Sequence, residues 1–277
     1  MGLYEFSPDT DWQKHIAFFW TLKTEADIDP SGMRIYADGC SDIICNARET
    51  TAYFYPLQGT HQAIPLHPGQ LYLGGTMTAY GILKGEPGCT LNGIRFRPGG
   101  FYALFSQTME ASVDSTIEFL DEELCTLMQQ TENLDSRLNQ WLNNRSTDRS
   151  VQVAGKYDFI YLRKKMYESG GQVTIEELAD EMCVSNRTLE RIFKKNVGIP
   201  PKDFLRIIRF QEVLKRLQNL QTKNEVSAEK ESLLQIAFEL GYYDHAHLTN
   251  EFKKYSGILP SELSLFYKTG ISNGQYF

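Results

Sequence analysis

Basic and amide side chains recur at helical spacing in two places near the end of this 277-residue chain. In the first, Asn186, Arg187, Glu190, Arg191, Lys194 and Lys195 alternate with an apolar set of Leu189, Ile192 and Phe193. In the second, His245, Ala246, His247, Thr249, Asn250, Lys253 and Lys254 alternate with Leu248 and Phe252. Arg and Lys neutralise phosphates, while Arg, Asn and Glu also offer hydrogen bonds to base edges. A short helix with such a face fits a major groove. His245 and His247 form the only His-x-His of the chain. On a helix they point about 200° apart, so they cannot share a metal and at most one faces a base edge.

Other chemistry has little support. His61 and His67 stand six residues apart without a third ligand, short of what a metal site needs. The five cysteines (Cys40, Cys45, Cys89, Cys125, Cys183) contain no Cys-x-x-Cys pair, and reduced, buried thiols are expected. Arg95 and Arg97 precede Pro98-Gly99-Gly100 and a short helical stripe of Phe101, Leu104 and Phe105. They would hold an anion at that helix start, or be solvated or paired with nearby carboxylates, the reading preferred here. Neither a phosphate loop nor a nucleophile elbow stands out, so no cofactor and no catalytic residue is assigned.

The elements that position the two basic faces form an internal repeat. Phe193-Lys194-Lys195-Asn196-Val197-Gly198-Ile199-Pro200-Pro201 returns as Phe252-Lys253-Lys254-Tyr255-Ser256-Gly257-Ile258-Leu259-Pro260, with six identities at an offset of 59. Leu189 pairs with Leu248 at the same offset, and Ala179 with Ala237 at 58. The unit is therefore used twice. Thr174 opens a capping box before Ile175, Leu178, Ala179 and Met182; Cys183-Val184 is a turn; Ser185 caps the basic helix. The second copy has Leu233, Ile236, Ala237 and Leu240, a turn at Gly241-Tyr242-Tyr243, and Asp244 as cap. Between them Phe204, Leu205, Ile208, Val213, Leu214 and Leu217 mark one long connecting helix, followed by a polar loop at 221–230.

These motifs resemble the tandem helix-turn-helix domain of the AraC/XylS family of bacterial transcription regulators. They are Leu178-Ala179, Ser185-x-x-Thr188-Leu189-x-Arg191-x-Phe193-Lys194, Gly198-x-x-Pro201, Ile236-Ala237-x-x-Leu240-Gly241-Tyr242, Asp244-x-x-His247-Leu248-x-x-x-Phe252-Lys253 and Gly257-x-x-Pro260. The resemblance implies that each unit lays its second helix into one of two successive major grooves of double-stranded DNA. It also implies RNA polymerase as a partner. By position, Arg187, Glu190 and Arg191, then His245, Ala246, Thr249 and Asn250, fall where the family reads bases. Asn250 stands where many members carry Arg, which leaves adenine preference or weak reading as alternatives. Glu190 either accepts from cytosine or orients the two arginines.

The remainder divides around this domain. Residues 1–154 carry 10 Lys and Arg against 19 Asp and Glu, a net of −9, while residues 155–277 carry 18 against 16, a net of +2. The overall charge of −7 thus hides a DNA-compatible second part. Short aromatic and branched runs at 34–39, 42–45, 52–55, 70–73, 80–83 and 91–96 predict strands of a small barrel or sandwich over 1–110, cupin-like and able to enclose one ligand. Gly93-Ile94-Arg95-Phe96-Arg97-Pro98-Gly99-Gly100 is similar to a stretch in one subgroup of the family's effector domains. Ile117, Leu120, Leu124, Leu127 and Met128, then Leu134, Leu138, Trp141 and Leu142, predict two amphipathic helices over 111–144, packed on the barrel or used for self-association. Residues 145–154 read as linker and 155–277 as the DNA-binding domain.

The expectation is an α+β chain acting as a cytoplasmic, non-enzymatic regulator controlled by a small effector or a homodimer. A protein partner, or an enzymatic first domain, is the alternative. Without a basic start or a long apolar run, neither signal peptide nor membrane span is expected.

Overall fold

In the computed structural model, the structure describes residues 2–24, 32–57, 62–147, 158–222 and 232–263. Among the described residues ten strands form the first part: β1 (Gly2–Phe6), β2 (Ile16–Lys23), β3 (Met33–Ile35), β4 (Ser41–Asn46), β5 (Ala52–Pro56), β6 (Ile64–Leu66), β7 (Leu71–Gly74), β8 (Gly81–Gly85), β9 (Thr90–Phe96) and β10 (Thr116–Phe119). All pairings are antiparallel, in a six-stranded sheet β1-β2-β9-β4-β7-β10 and a four-stranded sheet β3-β8-β5-β6. Three helices follow or interrupt them: α1 (Gly100–Phe105), α2 (Glu122–Met128) and α3 (Leu134–Thr147).

The larger sheet is covered on both faces. Toward the smaller sheet, Phe18, Trp20, Leu22 and Tyr72 meet Phe54, Leu66 and Leu83. Toward the helices, Ile16, Phe19, Ile43, Leu73, Ile94 and Phe96 pack with Phe101, Leu124, Met128, Leu138 and Trp141. This double burial explains why the sequence did not announce β2: Ile-Ala-Phe-Phe-Trp-Thr-Leu has no polar alternation because neither face meets water. β1, β6 and β10 were likewise not expected.

The helical pair departs from its expected start. Thr116–Phe119 is β10, paired with β7, and Leu120 is 87% exposed. Asp121 caps α2 by accepting from the Leu124 N–H at 2.9 Å. Asp114 accepts from the Thr78 N–H and hydroxyl. Helix α3 runs through Thr147, beyond the expected end at 144, where Arg145 pairs with Asp121 and lies over the Trp141 ring. The apolar stripe of both helices is buried on the sheet, so it is not a free face. Of the linker expected at 145–154, residues 145–147 continue α3 and 148–154 lie outside the described residues.

His15 sits at the start of β2 and is 5% exposed. Burial, with Lys14 and Arg163 nearby, pushes its imidazole down to about 4. A base with a depressed folded pKa contributes stability above its unfolded pKa, and that contribution is lost as the pH falls toward 4. Between pH 7 and 5 the protein is expected to lose roughly 1–2 kcal/mol from this group. Urea midpoints at the two pH values check it: His15→Gln should flatten the difference, and an unchanged slope would contradict it.

Among the described residues the regular elements of the second part are helices: α4 (Phe159–Glu168), α5 (Ile175–Glu181), α6 (Asn186–Val197), α7 (Pro201–Thr222), α8 (Leu233–Glu239) and α9 (His245–Ser256). Leu178, Leu189, Phe193, Phe204, Phe210, Ile236, Leu248 and Phe252 belong to one apolar cluster. The two units therefore share a core through α7 rather than forming separate bodies. Of the polar loop expected at 221–230, residues 221 and 222 continue α7, and 223–230 lie outside the described residues. Among the described residues no helix is long and apolar enough to cross a membrane.

Candidate nucleic-acid interface and a cavity

Each unit is built by local capping and one apolar stripe. Thr174 and Glu177 form the capping box of α5, and Cys183 makes the turn at φ +51. Ser185 then accepts from the Thr188 N–H at 3.2 Å to start α6, which ends at Gly198. Asp244 accepts from the His247 N–H at 2.7 Å to start α9, which ends at Gly257. A cap that fixes the first turn also fixes which residues face outward. Leu189, Ile192, Phe193 and Val197 are buried in α6, as are Leu248, Phe252 and Tyr255 in α9.

The opposite faces are in water. Asn186, Arg187, Glu190, Arg191, Lys194 and Lys195 are all exposed, as are His245, Ala246, Asn250, Lys253 and Lys254. Among the described residues no ion pair joins Glu190 to Arg187 or Arg191. Two of the residues expected outward are only half exposed. The His247 ring packs edge-on against Tyr242 at 5.3 Å, and its Nε2 lies 3.7 Å from Glu251. The Thr249 hydroxyl is buried with no hydrogen-bond partner. The two histidines thus point different ways, as i and i+2 on a helix must.

The first domain holds a partly open cavity of about 100 Å³. Phe18, Trp20, Phe54 and Met77 give it an apolar wall, and Gln211 and Leu214 of α7 close it. Its polar corner is an ion-pair triad: Arg95 bridges Asp38 and Asp42, the latter at 2.8 Å, and Trp20 Nε1 donates to Asp42 at 2.9 Å. Burial pushes the Asp42 carboxyl up, against the pull of Arg95. Of the two arginines considered for an anion, Arg95 is thus paired with carboxylates, and Arg97 Nε donates to the Gln13 carbonyl. No run of sequence betrayed this cavity, because its lining comes from many separate strands and loops.

The cysteines are free. Burial pushes the Cys45 thiol up to about 12 and the Cys40 thiol higher still, the reverse of what a nucleophilic thiolate requires. Of the two histidines weighed as metal ligands, His61 lies outside the described residues.

A capped helix, a turn and a second helix with a basic outer face, present twice on one core, define a tandem helix-turn-helix module. Residues 178–264 match the helix-turn-helix domain family model, and residues 4–118 match a domain of unknown function (DUF6597). An uncharacterized HTH-type transcriptional regulator of Haemophilus influenzae is 34% identical over 88 residues, 32% of this chain and 26% of the relative. The HTH-type transcriptional regulator ArgR of Pseudomonas aeruginosa is 29% identical over 90 residues, covering 32% and 25%. The matches span about a quarter of those curated relatives. Among solved structures, ToxT of Vibrio cholerae with bound unsaturated fatty acid overlays at a TM-score of 0.48 and 11% identity, over 98% of this chain and 96% of that one. The carboxy-terminal domain is a DNA-binding helix-turn-helix domain of the AraC type, as its motifs implied.

Proposed function

We propose that the chain is a transcription regulator that reads two successive major grooves of DNA with α6 and α9, under control of a small molecule held in the first domain. The observation that carries this reading is the pair of solvent-facing basic faces at repeat-equivalent positions, Arg187, Arg191 and Lys194 in one unit and Asn250 and Lys253 in the other. Helix α7 joins them with 22 residues, about 33 Å at 1.5 Å per residue, which is of the order of one turn of DNA. Base reading is assigned to Arg187, Glu190, Arg191, His245, Ala246 and Asn250. Phosphate contact is assigned to Asn186, Lys194, Lys195 and Lys253. His247 and Thr249 support α9 from behind.

A cavity of this small volume with a charged corner favours a small effector over a protein partner, which would need an extended apolar groove. Because α7 closes it, a bound molecule touches both domains and can favour one arrangement of them over another. The module works on DNA in the cytoplasm with RNA polymerase as a further partner, and no enzymatic step is assigned to it. A homodimer would have to use a face other than the buried stripe of α2 and α3.

Titrating the purified chain against a sequence selected from random DNA, with random competitor and varied salt, tests the proposal. Selective binding with log Kd rising steeply with log salt, by about 0.9 per phosphate neutralised, is expected. Equal affinity for selected and random DNA would refute it.

A further inference from the structure

The carboxy-terminal ends of α6 and α9 are not finished within their own units. The last four carbonyls of any helix lack intrahelical partners. In α6 the Gly198 N–H takes the Lys194 carbonyl at 2.9 Å, and in α9 the Gly257 N–H takes that of Lys253 at 2.8 Å. The next carbonyl in each is taken by the other domain. Met109 N–H donates to the Lys195 carbonyl at 3.1 Å, and Tyr80 N–H donates to the Lys254 carbonyl at 3.3 Å. Lys195 and Lys254 are equivalent residues of the repeat, 59 apart. Ala37 N–H adds a bond to the Tyr255 carbonyl at 3.3 Å.

The same equivalence holds in the packing. Gly198 and Gly257, at φ +91 and +77, end the two helices in the left-handed conformation. A Cβ on Gly198 would lie 2.5 Å from Val113 and 2.8 Å from the Met109 carbonyl oxygen. One on Gly257 would lie 2.3 Å from the Tyr80 ring and 2.5 Å from the Arg34 guanidinium. The first domain thus approaches both units at one repeat-equivalent place, with the 109–113 segment on one and Arg34, Ala37 and Tyr80 on the other. Gln211 Nε2 ties α7 to the Ala37 carbonyl at 2.6 Å, and buried Arg163 of α4 donates to the Pro98 and Lys14 carbonyls, both at 2.8 Å.

We infer that the first domain is a brace for DNA reading: by holding both recognition helices at their carboxy-terminal ends, it fixes their separation and so the half-site spacing the chain accepts. This rests on the reading of α6 and α9 as groove-binding helices. The outward residues of both helices stay exposed with the brace in place, so it positions them without covering them. A brace matters because one base pair changes half-site separation by about 3.4 Å and rotates it by about 34°. A rigid pair of helices cannot follow that change, whereas a pair held by α7 alone has more freedom.

The test uses the full chain and a duplex selected from random DNA, with one base pair inserted or removed between its half-sites. The wild type is expected to lose about tenfold or more in affinity at either altered spacing, the scale of one wrong base pair. Two variants loosen opposite ends of the brace: Val113→Asp at α6, and Arg34→Ala with Tyr80→Ala at α9. Each is expected to cut the spacing penalty to about threefold or less, while non-specific affinity and its salt slope stay as in wild type. Amide exchange gives a readout that needs no variant: the Met109 and Tyr80 N–H groups of the wild type should be protected. A wild type indifferent to spacing, rapid exchange at both amides, or an undiminished penalty in both folded variants would overturn the inference. A wild type that selects no sequence would instead remove the DNA-reading assignment beneath it.

Discussion

Arg95→Leu is expected to cost about 3–5 kcal/mol of folding stability at neutral pH, the scale for breaking a buried ion pair on one side. Arg95 sits between Asp38 and Asp42, and all three side chains are at most 16% exposed. Without the guanidinium two carboxylates face each other beside Phe18 and Trp20 with nothing to neutralise them. The loss should depend on pH in one direction. Burial already raises the Asp42 carboxyl above its usual value, and Asp38 raises it further, while Arg95 opposes both. A carboxyl whose folded pKa is raised gives stability that is present at low pH and lost as the pH rises through that value. The variant's deficit should therefore be largest at pH 7 to 8 and shrink as the pH falls toward the ordinary carboxylate range. Chemical denaturation at both ends of that window measures it. A deficit below about 1 kcal/mol at pH 7.5 would mean that the triad does not hold this corner together.

Arg191→Ala is expected to remove about 1–3 kcal/mol of discrimination at one base pair of the selected site, up to a hundredfold or so in relative affinity. Its guanidinium lies on the outer face of α6, one turn from Arg187, and among the described residues no ion pair holds it. Lys194→Ala, on the same face, should behave differently. It should weaken binding to every sequence alike and lower the salt slope by about one. Affinities for all four bases at each position separate the two outcomes. Uniform weakening by both changes would make Arg191 a phosphate contact rather than a base reader.

The helix-turn-helix module was legible because its signals are local. Ser185 and Asp244 precede their helices by one residue, Leu189 and Leu248 repeat at a fixed offset, and Gly198 and Gly257 sit where each helix must end. The burial of Arg163 was not legible, since its partners are the carbonyls of Lys14 and Pro98, far away in sequence. The strands were harder. Six short runs flanked by Gly, Pro or Asn were found, but β2 is apolar on both faces and carries no period of two. Ile117 and Leu120 were read with Leu124 as one helical stripe, although Ile117 pairs with Leu73 in the sheet. A spacing of three or four between apolar residues also occurs by chance across a strand and the turn that follows it.

The inter-domain bonds lay beyond sequence reasoning for a simpler reason. Met109, Tyr80 and Ala37 donate through backbone N–H groups, which every residue except proline possesses. The packing of His247 against Tyr242 was half legible. Geometry required that His245 and His247 diverge, but only the position of Tyr242 and Glu251 decides which one faces water.

Footprinting of the full chain on its selected duplex by hydroxyl-radical cleavage and guanine methylation tests the central claim most directly. Two protected major-groove patches about 10 base pairs apart on one face of the DNA are predicted, with Arg191→Ala erasing a contact in only one of them. A single patch, patches on opposite faces, or a footprint unchanged by substitutions in α6 and α9 would contradict the account.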